Sequence, residues 1–181
     1  NAASTTAEDV YTIVANGGEK AVNLVTNPGI EGSDVSIYTA TGSAISRSTA
    51  QASEGSASLL VNPANSAAGE GFYWESPKIS RSVNPQYITV QCEHRGASAS
   101  GTVEINITDS SGTELASSGS SSLATSWTRI TTQYTIPANT DPASYRLYVV
   151  TQANHNINFY IDKIMFEVRE DTTAVSTYVD G

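Results

Sequence analysis

Two acidic residues stand beside strand-like apolar runs at opposite ends of the chain. Glu31 follows Asn23-Leu24-Val25-Thr26-Asn27-Pro28-Gly29-Ile30, and Asp162 lies within Asn158-Phe159-Tyr160-Ile161-Asp162-Lys163-Ile164. The first and last strands of a β-sandwich are often neighbours, so the two carboxylates could meet. Carboxylates and the backbone carbonyls of irregular strand ends are the hard oxygen donors of which Ca²⁺ takes roughly six to eight.

A second constellation is aromatic. Phe72-Tyr73-Trp74 precedes Gln91, Glu93 and Arg95, expected on a strand of the same sheet. Aromatic faces stack on the CH groups of pyranose rings, and amide or guanidinium groups beside them donate hydrogen bonds to hydroxyls. In an extended strand Phe72 and Trp74 project together and Tyr73 projects oppositely, so one of the two faces belongs to the core. Tyr73 and Trp74 are both candidates for the ligand-facing ring.

Signals for catalysis are sparse. His94 and His155 are the two histidines and neither has a metal-ligand spacing; no G-x-S-x-G elbow occurs. Glu70, Glu75, Glu93 and Glu104 fall in or beside strands, and a carboxylate pair flanking a cleft stays open. We expect no enzyme activity.

The elements that must position these groups are strands. About a quarter of the chain is Ser or Thr, while only 15% is charged. Ser and Thr compete for backbone hydrogen bonds, and Thr is restricted at χ1, so this composition suits sheets better than helices. Candidate strands recur at roughly 36–40, 44–49, 57–61, 71–79, 86–94, 101–109, 113–118, 127–135, 144–152 and 158–168, with Gly, Pro, Asn and Ser between them. Val103, Ile105 and Ile107 alternate towards one face, as do Tyr145, Leu147 and Val149, with Tyr148 and Val150 opposite. In the last strand Phe159 and Ile161 share one face, and Tyr160, Asp162 and Ile164 the other. Trp127 is expected in the core, with a bulge beside it, and Ser117–Ser122 as a loop. The expected fold is an all-β, antiparallel two-sheet sandwich. Residues 1–20 read as an extended arm, 21–170 as the domain and 171–181 as a tail.

Composition narrows the partners. The net charge is −9 and the nine Lys and Arg are scattered, so no cationic stripe is present for a phosphate backbone or an anionic membrane. No apolar stretch approaches the roughly 20 residues of a membrane span. Cys92, alternating with Ile88 and Val90, reads as a buried small hydrophobe and has no internal disulfide partner. The chain opens on Asn1 without a leader-like stretch, from which a processed or excised piece of something longer is expected.

The phrase Asn27-Pro28-Gly29-Ile30-Glu31, then Glu54-Gly55-Ser56-Ala57-Ser58-Leu59, then Tyr160-Ile161-Asp162-Lys163-Ile164 resembles carbohydrate-binding modules of families 4 and 9. These are jelly rolls of the galactose-binding-domain-like type, and their N-P-x-F-E, G-S-x-S-L and Y-I-D-D-V phrases fall in this order. The resemblance covers roughly Ala21 to Val168. It implies a structural Ca²⁺ between the opening phrase and the closing strand. Glu31 and Asp162 would supply carboxylates, and Gly29 and the turn beginning at Glu54 would supply carbonyls. Without a metal, Glu31 is a solvated loop acid and Asp162 pairs with an arginine or a backbone amide. The resemblance also implies a glycan platform among Tyr73, Trp74, Gln91 and Arg95. Where the family usually has a tryptophan after the opening phrase, either Tyr38 takes its place or the aromatic is lost.

Domains with this opening phrase also occur in tail and capsid-decorating proteins of phages, and Ala174-Val175-Ser176-Thr177-Tyr178-Val179-Asp180-Gly181 resembles an ending found there. The expected function is therefore that of a non-catalytic jelly-roll domain of a phage-like virion protein. It would be exposed on the particle, contact neighbouring subunits through the arm and touch host-surface glycans. The alternative is a glycan-binding module of a secreted bacterial polysaccharide-acting enzyme.

Overall fold

A computed structural model describes residues 22–64, 67–170 and 174–179 of the chain; the expected arm, residues 1–20, lies outside them. The described residues contain eleven strands and no helix. One sheet holds β1 (Thr39–Thr41), β4 (Gly71–Glu75), β10 (Tyr145–Thr151), β6 (Thr102–Asp109) and β7 (Glu114–Ser117) in that order, with β8 (Ser121–Ser122) also on β6. The other holds β2 (Ser43–Ser48), β3 (Ser58–Pro63), β11 (Phe159–Arg169), β5 (Gln86–Gly96) and β9 (Thr128–Ile136). All the pairings are antiparallel. The expected all-β two-sheet sandwich is the fold observed.

The core lies where the two apolar faces meet. Val103, Ile105 and Ile107 of β6 and Leu147 and Val149 of β10 are fully buried against Ile88, Val90, Phe159, Ile161 and Phe166 of the other sheet. Cys92 belongs to this layer, and burial raises its thiol pKa.

Three expectations about register need correction. The last strand carries a bulge between Asp162 and Met165, where Lys163 has φ +50°. The extra residue reverses the alternation, so Ile164 and Phe166 join Phe159 and Ile161 in the core, away from Tyr160 and Asp162. Trp127 lies just before β9 and is only half-buried, because β9 pairs with β5 without a shift from Gln86↔Ile136 to His94↔Thr128 and spends its inward positions on Ile130 and Ile136. Within the Ser-rich run, Ser121 and Ser122 form a short strand against β6 rather than loop alone.

Candidate functional site

The strands β4 and β5 belong to different sheets, and this separates the residues expected to form one platform. Tyr73 points outward from the β4 sheet. Gln91 and Arg95 lie on the outer face of the β5 sheet, across the sandwich. Arg95 donates from Nε to the Thr125 carbonyl at 2.7 Å. Gln91 is 1% exposed and donates from Nε2 to the Ser176 carbonyl at 3.0 Å. Trp74 is 6% exposed and turns inward, its ring centroid 5.2 Å from that of Phe166. Tyr38 is buried edge-on against Phe72 at 5.4 Å, its hydroxyl donating to the Asn27 carbonyl at 3.3 Å. Neither Trp74 nor Tyr38 offers a face to solvent. The reason in each case is alternation: a side chain on the inner face of a strand is consumed by the opposite sheet.

Around Tyr73 the fold assembles other groups. Cross-strand register aligns Thr39, Tyr73, Tyr148, Asn106 and Ser117 in one row across five strands. A second row aligns Glu75, Arg146, Thr108 and Glu114. The rings of Tyr73 and Tyr148 lie 5.0 Å apart at 33°, both half-exposed. Arg146 places its guanidinium 4.7 Å from the Tyr73 ring centre and donates from Nε to Glu75 Oε2 at 2.7 Å. The hydrogen bond to Glu75 raises the guanidinium pKa above its ordinary value, with a smaller contribution from a hydrogen bond to Tyr148. Such a cation stacked on one ring, tied to a carboxylate and bonded to the second tyrosine limits the rotamers that both rings sample.

Beside the rings, Asn106 donates from Nδ2 to Glu104 Oε1 at 3.2 Å, and Ser117 Oγ donates to Glu104 Oε2 at 3.2 Å. Asn106 is 7% exposed, and its Oδ1 has no hydrogen-bond partner. Aromatic rings flanked by polar groups on an open sheet face can hold a flat, hydroxyl-bearing ligand. Of this set only Tyr73 was singled out from sequence as a ligand contact. The alternation that puts Tyr148 opposite Leu147 and Val149 was the signal for its partner. Nothing in the sequence linked β4 to β10.

The opposite face is closed by the chain itself. Residues 174–179 cross it, with Ser176 Oγ donating to Glu167 Oε2 at 2.9 Å and Asn23 Nδ2 donating to the Val179 carbonyl at 3.2 Å. Beside β11, where β3 has ended, Leu24 N donates to the Phe166 carbonyl at 2.9 Å.

On this side Glu31 and Asp162 both approach Gly29. Glu31 accepts from Ser56 N at 2.8 Å, Ser56 Oγ at 2.6 Å and Ala57 N at 3.1 Å. The Ser56 hydroxyl, chief among these donors, lowers the carboxyl pKa. Asp162 is fully buried and accepts from Ser53 N at 2.7 Å, Glu54 N at 3.2 Å and Lys163 N at 2.7 Å. Burial nevertheless raises its pKa. A Cβ at Gly29 would lie 3.9 Å from Glu31 Cγ and 4.0 Å from Asp162 Oδ1, so both acids converge on that glycine. Gly55, at φ +67°, leaves room that a Cβ would take from Glu31, 2.3 Å away. The Glu54 side chain turns to Lys163 Nζ at 3.5 Å.

Among the described residues no three His, Cys, Asp or Glu side chains cluster for a metal. The cradle has two carboxylates, and further oxygens would come from backbone carbonyls. Glu31 Oε1 and Asp162 Oδ2 each accept two N–H groups, while Glu31 Oε2 accepts one O–H and Asp162 Oδ1 one N–H, so the latter two retain acceptor capacity. An all-oxygen set of this kind is what Ca²⁺ takes.

No known protein family and no curated protein sequence matches the chain. Solved structures do. The C-terminal family 22 carbohydrate-binding module of Clostridium thermocellum Xyn10B is 26% identical, with a TM-score of 0.56 over 81% of this chain and 94% of that one. The CBM22-1 xylan-binding domain of Paenibacillus barcinonensis Xyn10C is 15% identical, with a TM-score of 0.60 over 87% and 100%. The enzymatically active domain of bacteriophage CBA120 tailspike protein 4 is 14% identical, with a TM-score of 0.58 over 81% of this chain. The chain spans about a fifth (21%) of that tailspike chain. What these structures share with it is the jelly-roll sandwich, a coarser kinship than the family 4/9 type that the sequence phrases resemble.

Proposed function

We propose that this chain is a non-catalytic carbohydrate-binding jelly-roll module that takes a glycan on the outer face of the β1-β4-β10-β6-β7 sheet. The observation that carries the reading is the contacting pair Tyr73 and Tyr148, held by Arg146. Its support from outside the molecule is the likeness to family 22 modules described as xylan-binding. The tyrosines supply apolar surface, and the polar row beside them exchanges hydrogen bonds with hydroxyls. Affinity electrophoresis against a panel of plant and bacterial polysaccharides tests this. Retention by at least one polymer is expected, with a loss of about ten- to hundredfold in Tyr73→Ala and Tyr148→Ala. No retention by any polymer, or retention unchanged in both variants, would refute the reading.

The parent of the module is a finer proposal. A phage-like virion surface, with neighbouring subunits held by residues 1–20, is favoured by the ending phrase and by the tailspike likeness in fold. A secreted polysaccharide-acting enzyme is the alternative favoured by the xylanase modules. Deleting residues 1–20 should abolish incorporation into a particle under the first and leave an enzyme's polysaccharide targeting intact under the second. We propose in addition that Ca²⁺ in the Glu31/Asp162 cradle stabilises the fold from the face opposite the glycan.

A further inference from the structure

We infer that the tyrosine face selects uncharged, hydroxyl-rich chains and rejects acidic ones, and that Glu104 and Glu75 impose this choice. The inference rests on the glycan-binding reading of the same face. Along the six strands of this sheet Arg146 is the single cation, against Glu75, Glu104, Asp109 and Glu114. Arg146 is already engaged by Glu75, stacked on Tyr73 and hydrogen-bonded to Tyr148. Glu104 has Asn106 and Ser117 as its hydrogen-bond donors, both neutral, so its charge is not cancelled there.

The hydrogen-bonding inventory points the same way. An ionised carboxylate and an amide oxygen only accept. Glu104 and Glu75 therefore make the surroundings of the rings rich in acceptors, while the guanidinium, their strongest donor, has its Nε committed to Glu75. A sugar hydroxyl donates as well as accepts and can bond to either carboxylate. A uronate, sulfate or phosphate group brings further acceptors and a negative charge to a surface whose single strand cation is already paired with Glu75. Like-charge repulsion at an exposed site is modest, on the scale of an exposed ion pair, and is screened by salt.

Binding is measured to a neutral β-1,4-xylan and a neutral β-1,4-galactan, each beside a carboxymethylated preparation of the same polymer. The wild-type chain should bind a neutral polymer about fivefold more tightly than its carboxymethylated form at low salt, with the ratio shrinking in 0.5 M NaCl. Glu104→Gln removes the uncompensated charge while keeping an acceptor, and Glu75→Gln frees Arg146. Each should bring the ratio close to one, chiefly by improving binding of the acidic polymer. Equal wild-type affinity for the two forms, or a ratio unmoved in both variants, overturns the inference while the glycan-binding reading stands. Wild-type binding to none of the four polymers overturns both.

Discussion

The two outer faces of the sandwich are both lined by polar side chains, yet among the described residues only one is left uncovered. On the β5-β11 side the polar groups are consumed by the chain's own segments: Glu167 by Ser176, Asp162 by the 53–54 backbone, and Asn23 by Ile164 and Phe166. Gln91 keeps an unpartnered Oε1 there, but it lies under the 174–179 strap at 1% exposure. Five cations, Arg47, Arg95, Arg129, Lys163 and Arg169, are distributed over that sheet against three acids. Lys163 pairs with both Glu54 and Glu93. The strands of the tyrosine sheet carry a single cation, and no segment among the described residues covers them. A polar sheet face thus signals a ligand only when the chain leaves its hydrogen-bonding capacity unspent.

Neighbouring residues of β4 give the sharpest test of this contrast. Trp74 and Tyr73 are adjacent in sequence but serve the core and the open face respectively. Trp74→Ala should cost about 3–5 kcal/mol of stability through the cavity left against Phe166, read as a large fall in denaturation midpoint. Tyr73→Ala should leave the midpoint nearly unchanged and appear in glycan affinity. If Trp74→Ala proved the milder of the two in stability, the assignment of faces would be wrong.

The closed face should be the one that responds to metal. With free Ca²⁺ at about a hundredfold excess over Kd, binding adds about 2.7 kcal/mol, and EDTA should lower Tm by roughly 5–10 °C. Asp162→Asn should abolish that difference. An EDTA-insensitive Tm would leave Glu31 and Asp162 as carboxylates satisfied by backbone amides alone.

Ending the chain at Glu170 removes the Ser176–Glu167 and Asn23–Val179 bonds and should cost about 1–3 kcal/mol, again without changing the tyrosine face. Unaltered stability would mean that the strap does not contribute to closing that side.

The smallest effect is a pH dependence from within the sandwich. His94 is buried, with Nε2 2.8 Å from Ser121 Oγ and Nδ1 unpartnered, and burial holds its pKa below the ordinary value near 6.5. The unfolded chain therefore takes up the proton first as pH falls. Stability from this residue is complete above pH 6.5 and declines below it. His94→Gln should flatten the Tm profile between pH 7.5 and 5; an unchanged slope would assign the loss to carboxylates.

Local pattern was enough to determine a large part of this protein. Strict alternation in Val103–Ile107 and Tyr145–Val149 identifies the strands and their buried faces, since a period of two admits only one half-buried arrangement. The family resemblance pointed to Glu31 and Asp162, both of which lie near Gly29 in the fold. Three things were decided only in three dimensions. The assignment of β4 and β5 to different sheets moved Gln91 and Arg95 away from Tyr73, because sheet membership depends on long-range pairing that no short window encodes. The bulge at Lys163 reversed the parity of the last strand, a one-residue event invisible to periodicity. The partnership of Tyr73 with Tyr148, Arg146 and Asn106 arose from cross-strand register between segments far apart in sequence, and register is set by the collective burial of both strands' apolar sides.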